Sequence, residues 1–451
     1  MRIIDMNDIA VGTVTEAEYR SQNGDLLISQ GVTITDKHLE ILRRRNIFQV
    51  YVKDSDEDEI HAILSKEYTL DEFHFDDEEP AKALDLPEFK NIKAGKDGLS
   101  QLMQSKKAAE LDDTLSRGIT PDKPAGLPLK QKAQEKNADE RTVQYKSDVH
   151  QLYNDALKDV HYVLRTMADG HSVDGRQIRA IVERFVRLFI TDKNILLNIS
   201  GIKTTPDNFV YHHTLNVCLL AINIAASADY SEEQVVEIGM GALLHDLGML
   251  LVPQHILTKE GKLDQDEWFE VQKHPILGLH LLESVTRLPV TVPYVAYQVH
   301  ERENGKGYPK QRNGRLIHNF ARIVQIADVY EALSSPRLYR TTYIPYKAME
   351  MVIKMTRQGL LSGEYSRSFL IYASLFPVGS IVELSNKSIG KVVKANASSF
   401  AKPIVSVIVD EGGRRLRDDQ IYLEDLKTSD LLIVKAHGFD YLSGFGVMDG
   451  F

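Results

Sequence analysis

The sequence predicts a mainly α protein: a helical bundle flanked by a small N-terminal α+β module and a small C-terminal β module. Two observations predict it. Between about Val143 and Phe376, apolar residues recur at spacings of three and four, the mark of helices with one buried face. Outside that region the period shortens towards two and turn residues cluster. A chain of 451 residues has room for two or three domains and at least one sizeable core. Its hydrophobic and charged fractions, 43% and 26%, are those of an ordinary globular protein.

Residues 1–53 read as the α+β module. IAVGTVTEAEYR and DLLISQGVTIT have strand patterns separated by Asn23-Gly24, a strong hairpin signal. TDKHLEILRRRN reads as a helix capped by Thr35 or Asp36, and FQVYV as a further strand. Residues 54–142 carry acidic runs (DSDEDE, FDDEEP) and a polar, proline-bearing stretch, the composition of a flexible linker with a short helix near LSQLMQSKKAAELDDTLSR. The bundle, 143–376, contains QLYNDALKDVHYVLRTM, RQIRAIVERFVRLFI, LNVCLLAINIAASA, EEQVVEIGMGALLHDLGM and ARIVQIADVYEALSS. Residues 377–430 alternate as short antiparallel strands, and 431–451 form a glycine- and aromatic-rich tail without an assigned structure.

Several classes are disfavoured. No apolar run reaches the roughly 18 residues expected of a membrane span, so no membrane insertion is expected. MRIIDMNDIAVG lacks the apolar core of an export signal, and a single cysteine, Cys218, cannot form an internal disulfide. A cytoplasmic location follows as the expectation. The net charge of −10 argues against a nucleic-acid polymer as partner.

Against that background GALLHDLGMLLVP is unusual, because it sets His245 and Asp246 side by side in an apolar run. Buried ionisable groups are costly unless paired or metal-bound. Partners stand in comparable settings: His213 in YHHTLNVCLLAI, Asp328 on the apolar stripe Val324-Asp328-Ala332, His274 just before Pro275, and His300 where a helix gives way to a glycine-rich loop. Any one of these is commonly a satisfied core or surface residue; as a set without a thiolate they suit iron, manganese, zinc or nickel.

Taken in order, LLHDLGMLLVPQHILTKEGKL, QKHPILGLHLL, HERENGKGYPKQRNG and ARIVQIADVYEALSSPRLYR resemble the HD-GYP branch of the HD metallophosphohydrolases, with Gly307-Tyr308-Pro309 as the naming triplet. The resemblance covers about a third of the chain, and the terminal modules resemble those that often flank such domains. It implies an HD-type helical bundle and hydrolysis of cyclic di-GMP. It also implies His213, His245, Asp246 and Asp328 as core metal ligands, with His245 and Asp246 central to catalysis. His274 and His300 would serve a second ion bridged by Asp246. Iron or manganese is the expected cofactor, as one or two ions, and a metal pair suits phosphodiester cleavage. Arg337 and Arg340, in a segment the family places beside nucleotide, are expected substrate contacts, with Tyr308 and Arg302. Eight basic residues between Arg302 and Arg340 reverse the sign locally in an acidic chain, though most could form an ordinary solvated face.

The sequence departs from the family pattern where the resemblance places a phosphate-contacting lysine (here Met249), a second consecutive histidine (here Val299) and a third-metal glutamate (here Phe209). Asn304 also replaces an aspartate. The departures leave two readings: a metal-dependent cyclic di-GMP phosphodiesterase, or a catalytically impaired domain acting as a cyclic di-GMP sensor or protein-interaction scaffold. The terminal modules are expected to regulate, to form a homodimer or to engage a signalling partner.

Overall fold

The computed structural model describes parts of residues 2–52, then 93–117, 123–136 except 135, 143–196, 209–335 except 258 and 260–262, and most of 343–445. The chain divides into two compact units, Met1–Tyr68 and Thr69–Phe451.

The first unit is a four-stranded antiparallel sheet in the order β1-β4-β2-β3, with β1 Arg2–Asp5, β2 Tyr19–Arg20, β3 Leu26–Ile28 and β4 Gln49–Val52. Helix α1, Asp36–Arg44, turns Leu39 and Leu42 into a core with Ile9, Tyr19, Ile28, Ile34 and Val50. Strand β1 was not read from the sequence, since four residues are too short for an alternation to register. Asn23-Gly24 lies outside the described residues.

In the second unit, the one short helix expected in the linker is two packed helices. Helices α2, Gly95–Leu102, and α3, Lys106–Ser116, bury Leu99, Leu102, Ala108, Leu111 and Leu115. The polar, acidic composition around them hides this apolar face. Residues 123–134 are also pinned: Leu129 N–H donates to the Tyr230 carbonyl (2.9 Å) and Gln134 N–H to that of Ile190 (2.8 Å). Residues 54–92 lie outside the described residues.

The bundle follows as α4 Val143–Ala168, α5 Gly175–Thr191, α6 Phe209–Ser227, α7 Glu232–Leu244, α8 Gln265–Val271, α9 His274–Leu282, α10 Val292–Gln298, α11 Asn319–Ser334, α12 Pro345–Arg357 and α13 Gly363–Ala373. Ser231 and Gln234 form a reciprocal capping box that starts α7, and Asp264 and Glu267 do the same for α8. Helix α6 is buried around its whole circumference because it packs against α7, α11 and α13. Glu232–Leu251 would pass for a membrane span by length and composition, contrary to the expectation of no such run. The most apolar window of that stretch is 89% buried inside the bundle, as a core helix should be.

The C-terminal module is a five-stranded antiparallel sheet ordered β10-β9-β8-β7-β11. Its strands are β7 Ile381–Leu384, β8 Ile389–Lys394, β9 Ile404–Val409, β10 Tyr422–Asp425 and β11 Ile433–His437. Strand β11 falls in the stretch left as tail, so the module extends beyond 430. Its pairing with β7, 50 residues back, is long-range and invisible to local pattern. The short parallel pair β5 Val173–Asp174 and β6 Val285–Thr286 staples two bundle loops.

Candidate metal centre

The HD pair sits at a break between helices. His245 closes α7 with helical dihedrals, Asp246 departs to φ −102°, ψ 15°, and Leu247–Leu251 continue as a tight 3-10 turn. The sequence reading kept this stretch as one helix; the structure breaks it. Gly248 supplies the reason. A Cβ there would lie 2.0 Å from the His274 carbonyl oxygen and 2.6 Å from the Gly278 nitrogen, so only glycine lets the turn meet the start of α9. That contact brings His274 to Asp246.

The six expected ligands converge. His213 on α6 and Asp328 on α11 approach at 3.3 Å (Nε2 to Oδ1), and His213 Nε2 lies 3.6 Å from Asp246 Oδ2. His245 Nε2 is 3.3 Å from Asp246 Oδ1 and 4.0 Å from Asp328 Oδ1. The same Oδ1 also lies 3.4 Å from His274 Nε2 and 3.2 Å from His300 Nε2. Two triplets with metal-ligand spacing result, His213-His245-Asp246 and Asp246-His274-His300, sharing one carboxylate. All but the part-buried His300 are buried.

Outer contacts fix how each imidazole is presented. His245 Nδ1–H donates to the Ala242 carbonyl (2.7 Å) and His274 Nδ1–H to that of Val271 (2.8 Å), so Nε2 of each is the lone-pair nitrogen turned to the centre. His245 Nε2 is buried and makes no hydrogen bond, an orphan that a cation would satisfy. His213 Nδ1 meets the buried Glu331 carboxylate, which also accepts from Ser335 Oγ (2.6 Å) and Asn216 Nδ2 (3.3 Å). Burial alone would raise the Asp246 carboxyl, but His245, His274 and His300 outweigh it and hold the group well below the usual range. Burial likewise opposes ionisation of Asp328, and His213, His300 and His245 reverse it. A site with two ionised carboxylates and imidazole lone pairs fits hard-to-borderline divalent cations.

The GYP loop forms the second wall. Tyr308 stacks on His300 with centroids 4.9 Å apart and an 11° interplanar angle, and meets His274 and Trp268 edge-on. A Cβ on Gly307 would lie 2.4 Å from the Glu301 backbone, so this close return of the loop also requires glycine. The buried Glu301 carboxylate accepts from Lys310 N–H (2.7 Å) and Arg312 N–H (2.8 Å) and closes the loop on itself.

The other expectations divide. Arg302 donates to the Val299 and Glu301 carbonyls and lies close enough to Asp328 and Tyr308 to feel both; burial lowers its guanidinium below the ordinary value, against the pull of Asp328. Arg337 and Arg340 lie outside the described residues. Much of the basic stretch is neither solvated nor turned to the centre, since Lys310 and Arg312 pair with Asp112 on α3 and Arg322 pairs with Glu303. Met249 is buried in an apolar cluster with Val252, Ile256, Leu257 and Val271, so a lysine ammonium there would have no acceptor in place. Val299 is wholly buried. Sequence reasoning missed Glu331 as a partner of His213, although it stands one helical turn after Asp328 and so shares its face.

Residues 201–362 match the HD domain family, and residues 381–444 match the KOW domain associated with HD domain. Residues 201–362 thus match an HD domain and carry the GYP triplet, and the curated relatives they resemble are cyclic dinucleotide phosphodiesterases. Over 239 residues, 53% of this chain and 57% of the relative, the chain is 31% identical to the cyclic di-GMP phosphodiesterase PA4108 of Pseudomonas aeruginosa. Over 121 residues, 27% of this chain and 32% of the relative, it is 40% identical to the cyclic di-GMP phosphodiesterase response regulator RpfG of Xanthomonas campestris pv. campestris. A third relative, the 3'3'-cGAMP-specific phosphodiesterase 2 of Vibrio cholerae, is 32% identical over 160 residues, 35% of this chain and 31% of the relative. The chain thus spans from about a third to just over half of the length of these relatives.

Proposed function

We propose that this protein is a metal-dependent phosphodiesterase of the HD-GYP type that hydrolyses a phosphodiester bond of cyclic di-GMP, acting in the cytoplasm. The observation that carries the reading is the pair of buried triplets sharing Asp246. On this reading His213, His245, Asp246 and Asp328 hold one ion, and Asp246, His274 and His300 hold a second, with iron or manganese as the fitting metals. Divalent cations held there would supply the Lewis acidity that activates water and neutralises phosphoryl oxygens.

The protein's own groups prepare that chemistry. Asp246 faces both triplets and offsets positive charge in a dry setting. Glu331 and the Ala242 and Val271 carbonyls fix three imidazoles so that they need not reorganise on binding. Arg302, part-buried near Asp328 and Tyr308, would meet a phosphate with its charge, and Tyr308 would offer a ring to the base or ribose. Arg337 and Arg340 complete the proposed substrate contacts. Retention of the His274-His300 half despite Val299 favours hydrolysis over a binding-only role.

The test is an anaerobic assay of the full chain with cyclic di-GMP and Fe(II) or Mn(II), beside Asp246→Ala. Linear dinucleotide or GMP from the wild type alone is expected. Nucleotide binding without product, from folded and metal-loaded protein, would overturn the catalytic reading.

A further inference from the structure

The segment ahead of the HD match, 93–117, grips the centre at two places. On α3, the Asp112 carboxylate takes three donors: Arg312 Nη2 (2.6 Å), Lys310 Nζ (3.0 Å) and Tyr297 OH (3.0 Å). Tyr297 lies on α10 just before Val299 and His300, while Lys310 and Arg312 follow directly on Gly307-Tyr308-Pro309. One carboxylate therefore holds both ends of the loop that carries His300 and Tyr308. Lys310 Nζ also donates to the Met103 carbonyl, between α2 and α3 (3.2 Å).

The second grip is beside His274. Lys273 Nζ donates to the Lys93 carbonyl (2.9 Å) and pairs with Glu270 (2.7 Å), whose other oxygen accepts the Gly95 N–H at the start of α2. Lys273 is 4% exposed, so this ammonium relies on those partners. Both grips fall on residues flanking His274 and His300, the two histidines of one triplet.

The geometry points to α2–α3 as a clasp that sets the His274-His300 half of the centre, with Asp112 as its positioning residue. The inference rests on the two-ion reading above. Losing the Asp112 carboxylate takes the shared acceptor from Tyr297, Lys310 and Arg312, leaves Glu301 alone to close the loop, and loosens the Tyr308 stack. The ion held by His274 and His300 then binds more weakly, by about 10- to 100-fold as for other outer-contact losses. The ion held by His213, His245 and Asp328 is unaffected.

Trp268, the only tryptophan in the chain, reports on the loop without metal or nucleotide, because its ring lies 5.7 Å from that of Tyr308. The experiment compares full-length wild type, Asp112→Ala, Asp112→Asn and Asp112→Glu by metal-free tryptophan emission and by calorimetric titration with Mn(II). Asp112→Ala is expected to shift Trp268 emission and weaken only the second Mn(II) step, with Asp112→Glu moving back towards wild type. Should the alanine variant misfold, Asp112→Asn, which keeps the acceptor oxygen but not the charge, is expected to show the same pattern at smaller amplitude. Unchanged emission with both steps intact overturns the clasp, as does an equal loss in both steps. A wild type that takes up only one Mn(II) overturns the clasp together with the two-ion reading. A normal two-step wild type that makes no product overturns the phosphodiesterase reading and leaves the clasp standing on its emission and binding results.

Discussion

Glu331 shows how much a single residue outside the expected ligand set can decide. Its carboxylate is 1% exposed and faces His213, Ser335 and Asn216 together. Burial works against a charged His213, and the carboxylates of Glu331 and Asp328 more than reverse it, raising the imidazole well above its ordinary value. Once a cation occupies Nε2, the same carboxylate orients the ring and strengthens it as a donor. Glu331→Gln keeps the shape and removes the charge. The expected outcome is an Mn(II) affinity lower by about 10- to 100-fold in the His213 triplet, with the His274 triplet spared, read by the same calorimetric titration. At this scale the converging candidate ligands were legible, because a histidine or aspartate in an apolar stretch stands out locally. Glu331 and Glu301 were not, since each gains its meaning from a partner: His213 lies 118 residues away from Glu331, and Glu301 closes a loop whose shape no local pattern fixes.

Among the elements, the turn Leu247–Leu251 carries the most consequence for its length. A continuous helix through Met249, as periodicity implies, would point Asp246 along the helix flank. The break instead rotates its carboxylate to face both triplets, and Gly248 makes the break possible by admitting the α9 backbone. Gly248→Ala is therefore expected to cost about 1–3 kcal/mol through overpacking and to push α9 away from Asp246. Thermal unfolding would show the loss, and metal analysis would show a protein retaining fewer ions per chain; wild-type stoichiometry would sink this account. Periodicity located α7 but could not see its contact with α9, because a glycine's close approach leaves no mark in hydropathy. Helices α2 and α3 were legible only as one short helix in a linker. Their apolar residues, Leu99, Leu102, Leu111 and Leu115, sit within acidic and polar runs whose average composition hides their packing.

Across the second unit, the helical bundle and the C-terminal sheet share a boundary that the alternation pattern placed at Phe376 as if it were a clean joint. Phe376 is in fact a core residue of the sheet, packed with Val382, Leu384, Val392, Val405, Val407 and Leu426. It also stacks on Tyr346 of α12, with centroids 5.0 Å apart and a 10° angle. The Ser374 hydroxyl and Leu375 N–H both donate to the Phe400 carbonyl, tying the end of α13 to the module. The module thus closes the end of the bundle that α12 and α13 form, and α13 packs directly on α6, which carries His213. Removing residues from 377 onwards would strip cover from Phe376 and Tyr346 and leave an apolar surface that favours aggregation. The point substitution Phe376→Ala isolates the packing term: about 3 kcal/mol of stability is expected to be lost, as for other buried phenylalanines. Because Phe376 packs in the sheet core and on Tyr346, away from the six proposed ligands, Mn(II) affinity in the folded state should stay at the wild-type level, measured well below the lowered melting temperature. A matching fall in both stability and metal affinity would instead show that the sheet controls the centre through α13 and α6, and would make the C-terminal module part of the catalytic apparatus.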